Sequence, residues 1–402
     1  MLPADPTFRP QPQHKYLTPR AASCATANSA NGRTIGYYQL NADQRSCDNI
    51  DISSISTENL SHLYIAFAEF DPTNFTITAA NNTNLAAYGN FSSLQSSSLQ
   101  TWISVGGFAF SATGSPTEQA WSSMTSSSAN RATFISSLKS FMTQYKFQGV
   151  DLDWEFPGQA ANGGNSNDKA NLVSLLSEMR TSFGTDFGIS LTLPTDAGYL
   201  ANYNLPALQS SVDWFGLMVC LHNVLTKLTL LTSHQSYDLY SYSNTTAYVE
   251  GHTDIRIINS TVATLTSAGV DMSKVNMGLA AYGRGYTLSN TTCNYLGCPA
   301  SGLSTAGTCV GEPGVLSLTE IQNMVAQTNV TPQYNPATEM MQISYGNQFV
   351  AYDDEYTFYL KKQFADANCM GGTMMWSIDL DNGLAKYVSH PPTSSSSFSA
   401  HH

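Results

Sequence analysis

Short apolar segments alternate along the chain with stretches of helical periodicity, and this alternation restricts the fold more than any other feature. The apolar segments lie at 34–38, 62–68, 101–107, 149–155, 188–194, 213–218, 275–282 and 371–378. Each is short enough to be a buried strand, and several of the intervening stretches are long enough to hold a helix. Eight buried strands that alternate with helices predict an α/β fold of the (β/α)8 type, the TIM barrel.

Two of the intervening stretches show helical periodicity in detail. In 132–146 and again in 168–183, apolar residues recur at intervals that place them on one face of a helix. A third stretch, YTFYLKKQFA, follows the acidic residues Asp353, Asp354 and Glu355. Because a helix N-terminus stabilises acidic side chains, we interpret these three as helix-start residues rather than as a catalytic group.

The pattern divides the chain into four segments. Residues 1–32 are rich in proline and then in small polar residues, which predicts a disordered N-terminal segment. The barrel is expected over 33–390, followed by a Ser-rich tail over 391–402. The interval between predicted strands seven and eight is too long for one helix and contains MMQISYGNQFVAYDD, which alternates as a strand does. We therefore expect a small α+β insertion there, over 285–350.

The charge balance excludes one large class of function. The 402 residues include 17 Lys and Arg against 29 Asp and Glu, which gives a net charge of −12. Proteins that bind nucleic acids present a basic surface, so we expect no nucleic-acid partner. A hydrophobic content of 42% is enough for a sizeable core. No stretch of about 18 apolar residues is present, so we expect no membrane span.

Cysteines and glycosylation sequons predict an extracellular protein. None of the seven cysteines belongs to a CxxC pair, which disfavours a zinc ribbon. Cys293, Cys298 and Cys309 lie in a loop with few apolar residues, so we expect disulfides there. Eight Asn-x-Ser/Thr sequons favour a glycosylated, secreted chain. They begin at Asn59, Asn74, Asn81, Asn90, Asn244, Asn259, Asn290 and Asn329.

The N-terminus disagrees with export by the usual route. MLPADPTFRPQPQHKYLTPR lacks the apolar core of a signal peptide. Either the start of the gene model is wrong or the protein leaves the cell by another route. The cysteines and sequons favour the first explanation.

The segment GVDLDWEFPG at 149–158 carries three carboxylates with strand spacing. Successive side chains of a strand point to opposite faces, so Asp151, Asp153 and Glu155 share one face. The other face is apolar and must meet the helices of a barrel, which directs the carboxylates into the lumen. Like charges this close raise the pKa of at least one carboxyl, and we expect a shared proton.

Glu155 ends this strand, and TIM barrels have their active sites at the C-terminal ends of their strands. A carboxyl with a raised pKa at this place suits general acid catalysis. The alternatives are a structural cluster of acids and a cation site. A calcium ion prefers carbonyl ligands on a flexible loop to a rigid strand, which weakens the second alternative.

The same segment resembles the DxxDxDxE motif of the family 18 glycoside hydrolases, the chitinases, and most closely their fungal subgroup related to killer-toxin chitinases. Similar segments are SVGG at 104–107, YGR at 282–284 on predicted strand seven, and GGTMMWSIDLD on predicted strand eight. The resemblance spans 33–385. It departs at Gln148, which replaces the first Asp of the motif. It also departs at Phe108, which replaces the usual Trp and leaves a smaller sugar platform.

This resemblance implies cleavage of β-1,4 links between N-acetylglucosamine units with retention, through attack by the substrate's own acetamido oxygen. By motif position, Glu155 would protonate the leaving oxygen, while Asp153 would orient the acetamido group and share a proton with Asp151. Trp376 would form the floor under the distorted sugar, and core packing is the alternative for Trp376, Tyr37 and Tyr282. The remaining implied subsite residues are Tyr37, Phe67, Phe108, Met218, Tyr282 and Arg284. The resemblance implies no metal or organic cofactor; the expected partner is chitin or a chitooligosaccharide, and we expect a monomer.

Strand six departs from the family pattern M-x-Y-D, whose Tyr and Asp hold the acetamido group. Met218 is followed by VCLHNVL, and the sequence SYDLYSY begins only at Ser236. Removing Val219–Gln235 restores LMSYDLYSY, with Tyr237 as a catalytic residue and Asp238 as a substrate-binding residue. The 17 removed residues correspond to 51 nucleotides whose ends permit splice sites, and their removal leaves an even number of cysteines. We interpret the segment as a retained intron; a true surface insertion is the alternative.

If the segment is translated, two outcomes are open. Tyr237 and Asp238 re-enter strand six, or the residues from Val219 onward continue the strand and displace them. The second outcome predicts a carbohydrate-binding protein with impaired catalysis. A third interpretation is a hydrolase that acts on the chitobiose core of N-glycans. The insertion at 285–350 resembles one that deepens the cleft in processive family members, which favours long-chain chitin.

Overall fold

Eight parallel strands close into a barrel. The computed structural model describes Cys24 and residues 32–80, 85–218 and 248–381. The strands of this sheet are β1 (Arg33–Gln39), β2 (His62–Phe70), the short β3 (Ile77–Ala79), β4 (Gln100–Gly106), β5 (Gly149–Asp153), β6 (Gly188–Leu193), β7 (Trp214–Leu217), β8 (Val275–Ala280) and β15 (Gly372–Trp376). β3 is antiparallel to the end of β2, whereas β1 pairs in parallel with β2 and with β15 and so closes the barrel. The predicted TIM barrel and its eight strands are confirmed.

Helices surround the barrel. Within the described ranges they are α1 (Ala86–Ser92), α2 (Phe108–Ser111), α3 (Ala120–Thr125), α4 (Ser128–Tyr145), α5 (Asp168–Phe183), α6 (Ala197–Leu200), α7 (Leu205–Leu208), α8 (Ile255–Ser267), α9 (Leu318–Gln327) and α10 (Glu355–Ala367). The two helices predicted from periodicity are α4 and α5. The acidic run predicted at a helix start leads into α10, whose first residue is Glu355, and the Asp354 carboxylate accepts from the backbone N–H groups of Tyr356 and Thr357. None of the helices described here is long and apolar enough to cross a membrane.

One group of buried side chains lies between the barrel wall and the helices, and a separate group lies inside the barrel. Val150 and Leu152 of β5 belong to the outer core between strands and helices, and Trp154 stacks on Trp121 of α3 with ring centroids 5.6 Å apart. The inner group fills the lumen. Its buried members are Ile35, Tyr37, Tyr64, Ala66, Trp102, Phe156, Met218 and Met374. The alternation predicted for β5 therefore separates an apolar outer face from an inner face that meets the lumen.

An antiparallel sheet is inserted after β8. Its strands are β9 (Tyr282–Leu288), β10 (Ala300–Leu303), β11 (Val315–Ser317), β12 (Gln333–Asn335), β13 (Met340–Tyr345) and β14 (Gln348–Tyr352). They lie in the order β10–β9–β14–β13–β12, with β11 also paired to β9. The prediction that YGR at 282–284 belongs to barrel strand seven is wrong. The barrel strand ends at Ala280. Tyr282 pairs with Ser317 of β11 instead, because the backbone from Tyr282 onward pairs with antiparallel strands of the insertion.

Three disulfides are formed among the described residues, and the first two join distant parts of the chain. They are Cys24–Cys369, Cys47–Cys309 and Cys293–Cys298. All three cysteines of the loop predicted to be stapled are thus paired. Cys220 lies outside the described residues, as do the segment Val219–Gln235, the predicted Ser-rich tail over 391–402, and most of the predicted N-terminal segment.

Candidate active site

β5 carries the three carboxylates to the rim of the barrel. Asp151 and Asp153 lie on β5 and Glu155 follows it by two residues; their relative exposures are 0%, 4% and 2%. Trp154 packs on the helical layer, so the residues on either side of it face the lumen. Burial, then Asp153, then Glu155 raise the pKa of the Tyr203 hydroxyl well above its usual value. Both carboxyls therefore act electrostatically on the same buried tyrosine.

Hydroxyl groups from three other strands of the barrel surround Asp151. Its Oδ2 accepts from the Ser104 hydroxyl of β4 at 2.8 Å and from the Tyr37 hydroxyl of β1 at 3.1 Å. Its Oδ1 accepts from the Ser190 hydroxyl of β6 at 2.7 Å. The Thr192 hydroxyl, also on β6, lies 3.1 Å from Oδ2 and 3.3 Å from Oδ1. Both carboxylate oxygens are thus stabilised by donors that barrel closure brings together.

The two aspartates of β5 differ in their surroundings. Burial raises the pKa of the Asp151 carboxyl, and the hydroxyl donors oppose that rise. Burial and the neighbouring Asp151 raise the pKa of the Asp153 carboxyl well above its usual value. Asp153 Oδ1 is buried and has no hydrogen-bond partner among the described residues. A proton held by this pair is therefore favoured on Asp153, because hydrogen bonds from hydroxyl groups stabilise the negative charge on Asp151.

The SVGG segment positions β4 against β5. Gly107 has a φ of +83°, and its backbone N–H donates to the carbonyl oxygen of Asp153 at 2.9 Å. A Cβ at Gly107 would lie 2.6 Å from the Phe67 ring. Glycine at this position therefore allows both the positive φ and the close approach of an aromatic ring.

Aromatic residues of the predicted subsites contact one another in the barrel. The Trp376 ring lies 5.5 Å from the Tyr37 ring and is stacked at 5.6 Å on the Phe67 ring, measured between centroids. Trp376 and Phe67 are half-buried, and both pack on the lumen group that contains Met218. The structure thus brings together four of the residues predicted to line the subsites.

The other predicted residues are more dispersed. Tyr282 is buried at the start of β9, where its ring lies 5.8 Å from the Arg284 guanidinium carbon and 5.3 Å from the His252 ring. Phe108 is half-buried at the start of α2. Tyr237 and Asp238 lie outside the described residues. Within the described ranges, no group of three or more His, Cys, Asp and Glu side chains is arranged to hold a metal ion.

Sequence reasoning missed two sets of residues around the carboxylates. Ser190 and Thr192 alternate on β6 and face Asp151, and Ser190 is in register with it. Two hydroxyl residues two positions apart on a predicted strand were the available signal. Asp168 was the other omission: its Oδ2 accepts from the backbone N–H of Gly158 at 3.0 Å and from the Ser122 hydroxyl at 2.8 Å. Asp168 thereby ties the loop that follows Glu155 to α3.

Comparison with solved structures shows the same fold. The catalytic domain 2 of the Group II chitinase from Ostrinia furnacalis superposes with a TM-score of 0.78 at 23% identity, over 89% of this chain and 96% of that domain. Human YKL-39, a pseudo-chitinase with retained chitooligosaccharide binding, superposes with a TM-score of 0.74 at 22% identity, over 89% of this chain and 98% of that protein.

Sequence comparison identifies relatives of the same kind. Chitotriosidase-1 of Mus musculus is 27% identical over 342 residues, which cover 82% of this chain and 69% of the mouse protein. The killer toxin subunits alpha/beta of Kluyveromyces lactis are 26% identical over 301 residues, which cover 73% of this chain and 25% of the toxin. The sequence profile of the glycosyl hydrolases family 18 matches residues 33–381. Because that match takes in most of the chain, the protein belongs to glycosyl hydrolase family 18.

Proposed function

We propose that this protein is a chitinase that hydrolyses β-1,4 links between N-acetylglucosamine units with retention of configuration. The observation that carries the proposal is the arrangement of β5, where Asp153 with a raised pKa lies between a hydroxyl-bound Asp151 and the buried Glu155. Carboxyls with separated proton affinities at the C-terminal end of a barrel strand suit acid–base cleavage of a glycoside.

In this mechanism, the Glu155 carboxyl donates its proton to the leaving glycosidic oxygen. The acetamido oxygen of the sugar on the other side of the bond attacks the anomeric carbon and forms a cyclic oxazolinium ion. Asp153 orients the acetamido group, and the single negative charge that Asp153 shares with Asp151 balances the positive charge that develops on that group. The Glu155 carboxylate then accepts a proton from the water that opens the ring, so the enzyme returns to its starting state.

The aromatic residues support this geometry. Trp376 would lie under the sugar whose bond is broken, and Tyr37 and Phe67 keep its ring in place through the contacts at 5.5 and 5.6 Å. Tyr282, Arg284, Met218 and Phe108 would extend the binding surface. An aromatic platform restricts the orientation of the sugar, which lowers the entropy that must be lost in the transition state.

Hydrolysis of a chitooligosaccharide by the full chain tests the proposal. Glu155→Gln keeps the shape of the side chain but removes its proton donor, and we expect at least a ~100-fold loss of kcat. Glu355→Gln is the matched control, because Glu355 is exposed at the start of α10, and it should retain full activity. Unchanged turnover in Glu155→Gln would refute the assignment. Cleavage of an N-glycosylated protein but not of chitooligosaccharide would favour the chitobiose core as the substrate.

A binding protein without turnover is the second candidate. The sequence of strand six favours it, because Val219–Gln235 separates Met218 from the Tyr237–Asp238 pair. Human YKL-39 illustrates that this fold can bind chitooligosaccharides as a pseudo-chitinase. Calorimetric binding of chitopentaose without release of shorter products would support this candidate over the first.

We also propose that the protein acts outside the cell. Three disulfides are stable in an oxidising compartment. The asparagines of six sequons are exposed, which is the state that glycosylation requires. These are Asn59, Asn74, Asn90, Asn259, Asn290 and Asn329. Expression through a eukaryotic secretory pathway, followed by enzymatic deglycosylation, should lower the apparent mass on a gel.

A further inference from the structure

Three aromatic side chains fill the lumen on the N-terminal side of Asp151. Tyr64 of β2 is stacked on Trp102 of β4 with ring centroids 5.3 Å apart, and Trp102 is stacked on Trp214 of β7 at 4.6 Å. Tyr64 and Trp102 are in register with each other and with Gly149, two residues before Asp151 on β5. This column therefore lies one layer below Asp151, on the side away from the rim where substrate would bind.

A chain of hydrogen bonds runs from this column to Asp151. The Trp214 indole Nε1 lies 3.0 Å from the Tyr64 hydroxyl, which lies 3.3 Å from the Ser190 hydroxyl. The Ser190 hydroxyl in turn lies 2.7 Å from Asp151 Oδ1. An indole N–H can only donate, and an ionised carboxylate can only accept. The direction is thus set at both ends: Trp214 donates to Tyr64, Tyr64 donates to Ser190, and Ser190 donates to Asp151.

We propose that Trp214, Tyr64 and Ser190 form a directed hydrogen-bond relay that keeps Asp151 ionised and leaves the shared proton on Asp153. They are positioning residues, because they act on the reacting groups only through Asp151. Each donor in the chain polarises the next, so the Ser190 hydroxyl becomes a stronger donor than an isolated serine. The stacked rings keep the relay out of water, which strengthens its electrostatic effect.

The other groups around Asp151 are consistent with this assignment. Arg33 of β1 lies 4.8 Å above the Trp214 ring, and its positive charge favours an anion nearby. His62 of β2 lies 4.8 Å from the same ring, and burial followed by the Arg33 charge lowers its pKa to about 4, so it is neutral at pH 7. Asp153 is the neighbouring acid and Tyr37 the neighbouring phenol. The other groups that contact Asp151 are the hydroxyls of Ser104 and Thr192, which do not titrate.

The inference deepens the proposed function, because it concerns the same carboxyl pair, but its first test does not depend on turnover. Asp151 is titrated by NMR in protein labelled with ¹³C at the aspartate carboxyl carbons, and Asp151→Asn assigns its signal. In Ser190→Ala the Asp151 pKa should rise by about one pH unit, because a hydrogen bond to a charged group is lost. Tyr64→Phe keeps the ring but loses the hydroxyl. The Asp151 pKa should then rise by about half a pH unit, because the lost hydrogen bond acts on Asp151 only through Ser190.

Tyr38→Phe is the matched control. Tyr38 is a buried tyrosine of β1 whose hydroxyl donates to the Ile50 carbonyl oxygen in the outer core, so its loss should leave the Asp151 titration unchanged. If Tyr64→Phe does not fold, Ser190→Ala and Trp214→Phe carry the same test. An Asp151 titration that coincides with wild type in the folded variants would overturn the relay.

A second measurement separates this inference from the proposed function. The acidic limb of the pH profile of kcat/KM should move to higher pH in Ser190→Ala and Tyr64→Phe, in step with the Asp151 titration. If the wild-type chain hydrolyses no chitooligosaccharide while the carboxyl titration still shifts, the relay stands and the proposed function fails. If the wild type is active and neither the titration nor the acidic limb shifts, the relay fails and the proposed function stands.

Discussion

Gly107 donates its backbone N–H to the carbonyl oxygen of Asp153 at 2.9 Å, and this bond joins the C-terminal ends of β4 and β5. It lies beyond the last regular pair of the ladder, Gly106 with Asp153. The position of the central aspartate therefore depends on a glycine that contributes no side chain to the site.

Replacing this glycine should impair activity more than stability alone explains. In Gly107→Ala the new Cβ meets the Phe67 ring at 2.6 Å, so β4, Phe67 or Asp153 must shift. A displacement of about 1 Å at reacting groups lowers the rate ~100-fold, and we expect a loss of that order in kcat. Gly114→Ala is the control: its φ of +80° imposes the same backbone strain, but no atom lies within 4 Å of the new Cβ. Equal losses in both variants would contradict this explanation.

The raised pKa of Asp153 predicts a dependence of stability on pH. The folded protein binds a proton on Asp153 more tightly than the unfolded chain does. The associated stabilisation is present below the ordinary aspartate pKa and is lost as pH rises through the folded pKa. Asp153→Asn cannot ionise, so its melting temperature should exceed that of wild type increasingly toward alkaline pH. The gain is about 1.4 kcal/mol for each unit by which the pKa is raised. A difference in melting temperature between Asp153→Asn and wild type that stays constant from pH 4 to 9 would refute this prediction.

The buried ion pair of Lys361 and Asp353 should be essential for stability. Lys361 Nζ contacts the Asp353 carboxylate and also donates to the Glu339 carbonyl oxygen at 3.1 Å. Lys361→Met leaves a buried carboxylate without its cation, which costs about 3–5 kcal/mol in the free energy of unfolding. Denaturant unfolding measures this cost. Lys139→Met on α4 is the control, where we expect a change within about 0.5 kcal/mol. Replacing Asp353 by Leu in the Lys361→Met background should recover much of the loss.

Deleting Val219–Gln235 should raise the rate of hydrolysis. β7 ends at Leu217, and Met218, the last described residue before the segment, is buried in the lumen. The deletion joins Met218 to Ser236 and restores LMSYD. Tyr237 and Asp238 then follow Met218 by two and three positions. If the pair is displaced in the full chain, restoring it should increase kcat/KM by ~100-fold. Asp238→Asn in the shortened chain should reverse the gain. Equal rates for the two chain lengths would contradict the displacement of this pair in the full chain.

Much of the barrel was predictable because buried parallel strands are short apolar runs that differ from amphipathic helices. The end of strand seven was not, since Ala280 and Tyr282 belong to one continuous apolar run. Only the partners distinguish them: β8 pairs with β7 and β15, whereas Tyr282 pairs with Ser317 of β11. Pairing partners distant in sequence determined that boundary.

The order of residues along β5 was enough to direct Asp151 and Asp153 into the lumen, because strand periodicity is a local property of the backbone. Local periodicity carries no information on which side chains of other strands reach them. Ser190 lies 39 residues from Asp151 along the chain and Tyr37 lies 114 residues away, yet both donate to its carboxylate. Strand register and barrel closure bring them together, so only the tertiary structure decided how the charge of Asp151 is stabilised and which aspartate keeps the proton.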